Sequence, residues 1–72
     1  MSYYEIKTPV TGNVSKIFVK KEEIISKGEK IAVLESMKME IPIESDKGGV
    51  IKNVMISEGD SVSDGDTLIS LE

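Results

Sequence analysis

The sequence contains no cysteine, histidine, tryptophan or arginine, and only three aromatic residues, one Phe and two Tyr. Without Cys or His there can be no disulfide, no thiolate or imidazole metal site, and no Cys-His or Ser-His-Asp nucleophile. A chain of 72 residues buries only about 60% of its unfolded surface, which leaves little interior for retuning the pKa of a catalytic group. Catalysis by this chain alone is not expected. Nucleic-acid binding is not expected either, because thirteen carboxylates against nine lysines give a formal charge of −4, the wrong sign for a phosphate backbone. No run of about 20 apolar residues is long enough to cross a bilayer as a helix. The start Met1-Ser2-Tyr3-Tyr4-Glu5 lacks the basic-then-apolar layout of a secretion signal. A cytoplasmic protein with no membrane partner is the default expectation.

What is present points to β structure. Ile and Val supply 17 residues, whereas Ala and Leu together supply four. β-branched side chains are stiff at χ1 and suit a pleated surface better than a helix. Alternation is clearest at Ile41 and Ile43 and at Val54 and Ile56, and no window sustains an i, i+3, i+4, i+7 stripe. Six glycines punctuate the chain as turns between short strands would require. The reading is all-β, with strands near residues 5–9, 12–19, 30–36, 39–45, 49–56 and 67–72. Shorter extended pieces are expected at 23–25 and 60–62. Pro42 lacks an N–H, so its strand should lie at a sheet edge or turn that position to water.

The two halves resemble each other. Residues 12–16 lie over 48–52 at a spacing of 36, and after one slipped residue the spacing becomes 37. At that spacing Ser26 matches Ser63, Gly28 matches Gly65, Leu34 matches Leu71 and Glu35 matches Glu72, with acid on acid at Glu23/Asp60 and Glu29/Asp66. Two copies are too few for a solenoid. Two β units can instead close face to face with quasi-two-fold symmetry, as a sandwich or flattened barrel. One domain over residues 1–72 is expected, with halves of about 8–36 and 44–72. Their junction, 36–39, must be a hairpin tip.

At that tip stands Glu35-Ser36-Met37-Lys38-Met39-Glu40. Two large apolar side chains flank a lysine where the chain should be most exposed. On the residues alone, the methionines either cover the end of the barrel or form an adaptable contact surface for partners.

This segment resembles the biotin attachment motif of biotin carboxyl carrier domains, whose core is Met-Lys-Met preceded by a small residue and a Glu. The resemblance runs from about residue 7 to 72. It includes Thr8-Pro9-Val10-Thr11-Gly12-Asn13-Val14, similar to the family's Ala-Pro-x-x-Gly-x-Val, and Val54-Met55-Ile56-Ser57-Glu58-Gly59-Asp60-Ser61-Val62 followed by Asp64-Gly65-Asp66-Thr67-Leu68. In size the chain looks like the small stand-alone biotin/lipoyl attachment proteins. The resemblance implies a flattened barrel of two four-stranded antiparallel sheets with Lys38 at the hairpin tip. It implies a non-catalytic carrier, biotinylated on Lys38 by a biotin protein ligase. The biotinyl arm would then carry CO2 from a biotin carboxylase to a carboxyltransferase. Met37 and Met39 are assigned to recognition by those enzymes. Glu35 and Glu40 are candidates to contact the same partners or to orient the hairpin. No metal site is implied.

Two positions depart from the pattern. Glu22 stands where the second half has Gly59, and Ser45 is read as the counterpart of Pro9. The alternative within the same fold is a lipoyl carrier, with lipoate placed on Lys38 by a lipoate-attaching enzyme, or a chain that accepts both groups. Lipoyl domains also place a Glu three residues before the lysine, as Glu35 is here. They usually carry Asp-Lys-Ala at the tip, however, and Gly at the position of Glu22. An unmodified protein-binding β module is the third reading. The Met-Lys-Met tip and the scarcity of aromatic anchors both oppose it.

Overall fold

The computed structural model of the chain describes residues 3–72; Met1 and Ser2, which the expected domain span includes, lie outside the described residues. Eight strands follow in order: β1 (Tyr4–Lys7), β2 (Gly12–Ile17), β3 (Ile24–Ile25), β4 (Lys30–Ser36), β5 (Met39–Glu44), β6 (Gly49–Val54), β7 (Ser61–Val62) and β8 (Thr67–Leu71). They form two four-stranded antiparallel sheets, ordered β1-β8-β6-β3 and β5-β4-β2-β7. The all-β flattened barrel is therefore present as expected. Pro42 lies on β5, an edge strand, where a missing N–H breaks no ladder. Among the described residues, no helix is long and apolar enough to cross a membrane.

The core is one set of seven residues used twice. Its first members are Ile6, Val14, Val19, Ile25, Ile31, Ala32 and Leu34, and its second are Ile43, Ile51, Ile56, Val62, Leu68, Ile69 and Leu71. Every pair is 37 residues apart. Each buried Val, Leu or Ile is worth about 1.5–3 kcal/mol relative to exposure, so the two inner faces hold the sheets together.

Backbone hydrogen bonds repeat at the same interval. The amide of Val14 donates to Asp60 O as that of Ile51 does to Glu23 O, both at 2.8 Å. The amide of Thr8 donates to Asp66 O, and that of Ser45 to Glu29 O, both at 2.9 Å. The buried hydroxyls of Thr8 and Ser45 make matching local turns, donating to the carbonyls of Val10 and Lys47. These bonds correct two expectations. The spacing is 37 from Ile6/Ile43 onward with no slip, and Ser45 is the counterpart of Thr8 rather than of Pro9. The tandem Gly48-Gly49 made two alignments look alike in sequence. Close approach of the backbone decides between them. A Cβ on Gly12 would sit 2.5 Å from the carbonyl oxygen of Glu35, and one on Gly49 would sit 2.9 Å from that of Glu72. Gly12 thus pairs with Gly49.

The repeated acids also acquire a structural role. Side chains of Glu23, Asp60, Glu29 and Asp66 accept hydrogen bonds from the amides of Lys20, Ser57, Ser26 and Ser63 respectively, at 2.8–3.0 Å. Each closes a turn three residues back. One turn carries strain: Glu22 has φ 75°, where its counterpart Gly59 has φ 96°. An L side chain in that region is disfavoured by about 1–2 kcal/mol, part of which glycine would return as unfolded-chain entropy. Glu22→Gly should therefore raise stability by about 0.5–1 kcal/mol. A denaturation midpoint that is unchanged or lower would contradict this account of the loop.

Candidate functional site

The end of β4 and the start of β5 pair as Glu35 opposite Glu40 and Ser36 opposite Met39, leaving Met37 and Lys38 as a two-residue loop. Both loop residues have positive φ, 52° at Met37 and 66° at Lys38. This is the sign pattern of a type I′ turn, whose twist matches that of the flanking strands. Its favoured sequence is Asn-Gly, because the left-handed conformation crowds a Cβ. Met-Lys at this place costs about 1–2 kcal/mol per residue. The fold tolerates that strain and holds Lys38 at the crest. Replacing both residues, Met37→Asn with Lys38→Gly, should raise stability by about 1–2 kcal/mol; a chemical denaturation curve checks it, and a loss of stability would refute the strain.

Nothing covers the crest. Met37 is 91% exposed and Met39 64% exposed. The Lys38 amine makes no hydrogen bond or ion pair among the described residues. Two shallow surface depressions, of about 240 and 480 Å³, are lined from elsewhere: one by residues such as Pro9, Pro42 and Glu44, the other by residues such as Ile17, Lys20 and Val54. The tip is convex. It presents an amine on a four-carbon stem, away from the lining of both depressions.

Glu35 and Glu40 face each other across the β4–β5 pair. Like charges in that arrangement repel, and neither carboxylate has an ion-pair or hydrogen-bond partner among the described residues. The symmetry supplies an internal comparison. Glu72, the counterpart of Glu35, is 2.9 Å from the Lys52 amine. The hydrogen bond and charge of Glu72 raise the pKa of Lys52, with a smaller push from Glu22. A raised lysine pKa means that this contribution is complete at neutral pH and is lost only as the pH climbs past the ordinary lysine range, near 10.4. At the tip the residue equivalent to Lys52 is Ser15. The molecule neutralises this acid at its terminal end and leaves it open beside Lys38.

The structure brings all the residues singled out in the sequence, Glu35, Met37, Lys38, Met39 and Glu40, onto one hairpin. It adds Gly12 and Asn13, which sequence reasoning had not placed at the site, and gives Ser36, already read as part of the tip, its partner. Ser36 closes the two-residue loop opposite Met39. Gly12 lets β2 pass under the Glu35 carbonyl and lies within reach of the Ser36 Cβ. Asn13, opposite Glu35 on β2, accepts a 3.0 Å hydrogen bond from the hydroxyl of Ser61. The matched glycines at 12 and 49 were the available signal, obscured by Gly48.

Comparison with known proteins bears on this hairpin and barrel together. The family model described as "Biotin-requiring enzyme" matches residues 4–71. The chain is 47% identical over 66 residues to a biotin/lipoyl attachment protein of Bacillus subtilis, covering 92% of this chain and 90% of that one. It is 36% identical over 67 residues to the human mitochondrial propionyl-CoA carboxylase alpha chain; this covers 93% of the present chain and 9% of the relative. Among solved structures, the lipoyl domain of the 2-oxoglutarate dehydrogenase complex from Azotobacter vinelandii superposes with a TM-score of 0.79. The two are 28% identical, with 96% of this chain and 95% of that one covered.

Proposed function

This chain belongs to the biotinyl/lipoyl attachment family, and from that premise we propose that it is a biotin carboxyl carrier loaded on Lys38. The observation that carries the reading is the tip itself: an unpartnered amine at the crest of a strained two-residue turn, between two exposed methionines. The site fits covalent attachment, because the amine can be approached from solvent and no internal contact must be broken to reach it. A solvated lysine is ordinarily protonated at neutral pH, and nine lysines compete. A biotin protein ligase must therefore supply biotin with an activated carboxyl group and choose the residue. Lys38 contributes the nucleophilic nitrogen that forms the amide, and it loses a proton to the surroundings as the bond closes. Met37 and Met39 offer the ligase an apolar, adaptable contact. Glu35 and Glu40 offer it open negative charge.

Bound biotin supplies a ureido group that can carry CO2 between a biotin carboxylase and a carboxyltransferase. The chain's own part is to hold the point of attachment on a rigid hairpin and let the stem of Lys38 sweep. Tethering of this kind raises the local concentration of a group at its partner sites to roughly the millimolar range. A carrier needs no pocket for this. The similarity to a carboxylase alpha chain supports carboxylase partners.

Lipoate on the same Lys38 is the second reading, supported by the likeness to a lipoyl domain. Met37, Met39 and Glu22 oppose it, since lipoyl domains usually place Asp, Ala and Gly there. To test the main reading, unmodified protein is incubated with biotin, ATP and a biotin protein ligase, then digested and mapped. One biotinyl group on the peptide containing Lys38 is expected; no incorporation, or incorporation at another lysine, would refute it.

A further inference from the structure

We infer that Met37 and Met39 form an oxidation switch for the loading of Lys38: a hydroperoxide converts the tip thioethers to sulfoxides, which stops recognition by the ligase, and thiol-dependent reduction restores it. The inference rests on the proposed role of these methionines as ligase contacts.

Three features of the molecule carry it. First, the chain has no cysteine, so no thiol competes and the thioethers are its softest nucleophiles. Second, the sulfur sits outside the fold's foundation. The core consists of Ile, Val, Leu and Ala, with no Met among the described residues. Oxidation that would disrupt a methionine-containing core leaves this barrel intact. Third, exposure is graded toward the site, at 91% for Met37, 64% for Met39 and 54% for Met55. The positive φ of Met37 puts it on the crest of the loop. The most accessible thioether among the described residues therefore adjoins the residue proposed for attachment.

The chemistry balances without any group from the protein beyond the thioether. The sulfur lone pair attacks one peroxide oxygen, the O–O bond breaks, and the second oxygen leaves as an alcohol, or as water when the oxidant is hydrogen peroxide. The sulfur loses two electrons and the peroxide gains them. In the reverse direction two thiols supply two electrons, the S–O bond breaks, water leaves and a disulfide forms on the reductant. The product at the tip is polar and chiral where the thioether was apolar. A contact surface that gained from burying two Met side chains then loses that gain, equivalent to about tenfold or more in loading efficiency.

The test compares loading of Lys38 by a biotin protein ligase, with biotin and ATP, before and after treatment with hydrogen peroxide. Oxygen addition at Met37 and Met39 is verified by peptide mass and retention of fold by circular dichroism. Loading kcat/KM should fall about tenfold or more. It should recover when the two epimer-specific methionine sulfoxide reductases act with a dithiol. The double variant Met37→Leu with Met39→Leu is compared with itself before and after peroxide: whatever its own loading rate, peroxide should not change it, while Met55→Leu should lose loading on treatment as the parent does. Unchanged loading by protein carrying sulfoxide at 37 and 39 overturns the switch and leaves the carrier assignment standing. Peroxide sensitivity that persists in the double variant also overturns it. Reduced protein that takes up no biotin on Lys38 overturns both.

Discussion

Lys38→Arg should incorporate no biotin, and its thermal transition should stay within about 4 °C of the parent. Arginine keeps the positive charge and the long stem but has no amine that can form the amide, since the guanidinium stays protonated and delocalised. The substitution does not alter the strain of the loop, because Arg, like Lys, has a Cβ in the left-handed region. Exposed positions away from buried networks change stability by about 0.5 kcal/mol or less, and Lys38 makes no ion pair among the described residues. Loss of labelling would therefore be a loss of chemistry, with the fold preserved. The eight other lysines occupy strands and longer loops, some of them engaged, as Lys52 is with Glu72 and Lys47 with the Tyr4 ring. None shares the two-residue crest. Streptavidin detection after incubation with ligase checks the outcome, and label remaining on the variant would sink the assignment to Lys38.

Gly12→Ala should be the most damaging single methyl group near the site. Its Cβ would stand 2.5 Å from the Glu35 carbonyl oxygen and 3.3 Å from the Ser36 Cβ, so β2 and the base of the hairpin must separate. Overpacking of this kind costs about 1–3 kcal/mol. Total stability for a chain this size is about 4–11 kcal/mol, and Tm should fall by roughly 5–20 °C. The symmetry supplies a control. Gly49→Ala meets the Glu72 carbonyl oxygen at 2.9 Å, at the symmetry-related position away from the Met37-Lys38 loop. It should also lower Tm, yet leave loading per folded molecule unchanged, whereas Gly12→Ala should slow loading even below its transition. Equal loading by the two variants would show that the backbone under Glu35 does not position the hairpin.

Much of this was legible in the sequence, and the parts that were not share a cause. Alternating Ile41 and Ile43 marked β5, because a strand with one buried face must alternate, whereas β8, buried at every position from Leu68 to Leu71, shows no alternation to read. The Met-Lys-Met segment stood out because two apolar residues at a repeat junction serve no core. Local patterning does not report tight backbone contacts, and these set the register: the Gly12 and Gly49 approaches chose 37 over 36. Nor does it explain exceptions to symmetry. The aligned halves already set Glu22 against Gly59, but the left-handed backbone at Glu22, and the meaning of Ser15 where the other half pairs Lys52 with Glu72, appear only in the structure. The pairing of β3 with β6 and of β2 with β7 joins two-residue strands to partners far away in sequence, and so short a stretch shows no periodicity.

The central claim is that this chain exists to present one modified lysine. It is tested most directly by intact-mass measurement of the protein purified from its own biotin-replete cells, followed by peptide mapping. The account predicts the mass of the chain plus one biotinyl group, located on Lys38. A chain without modification, or one modified at a different lysine, would contradict it, and a lipoyl group on Lys38 would replace the carboxyl carrier with a lipoyl carrier.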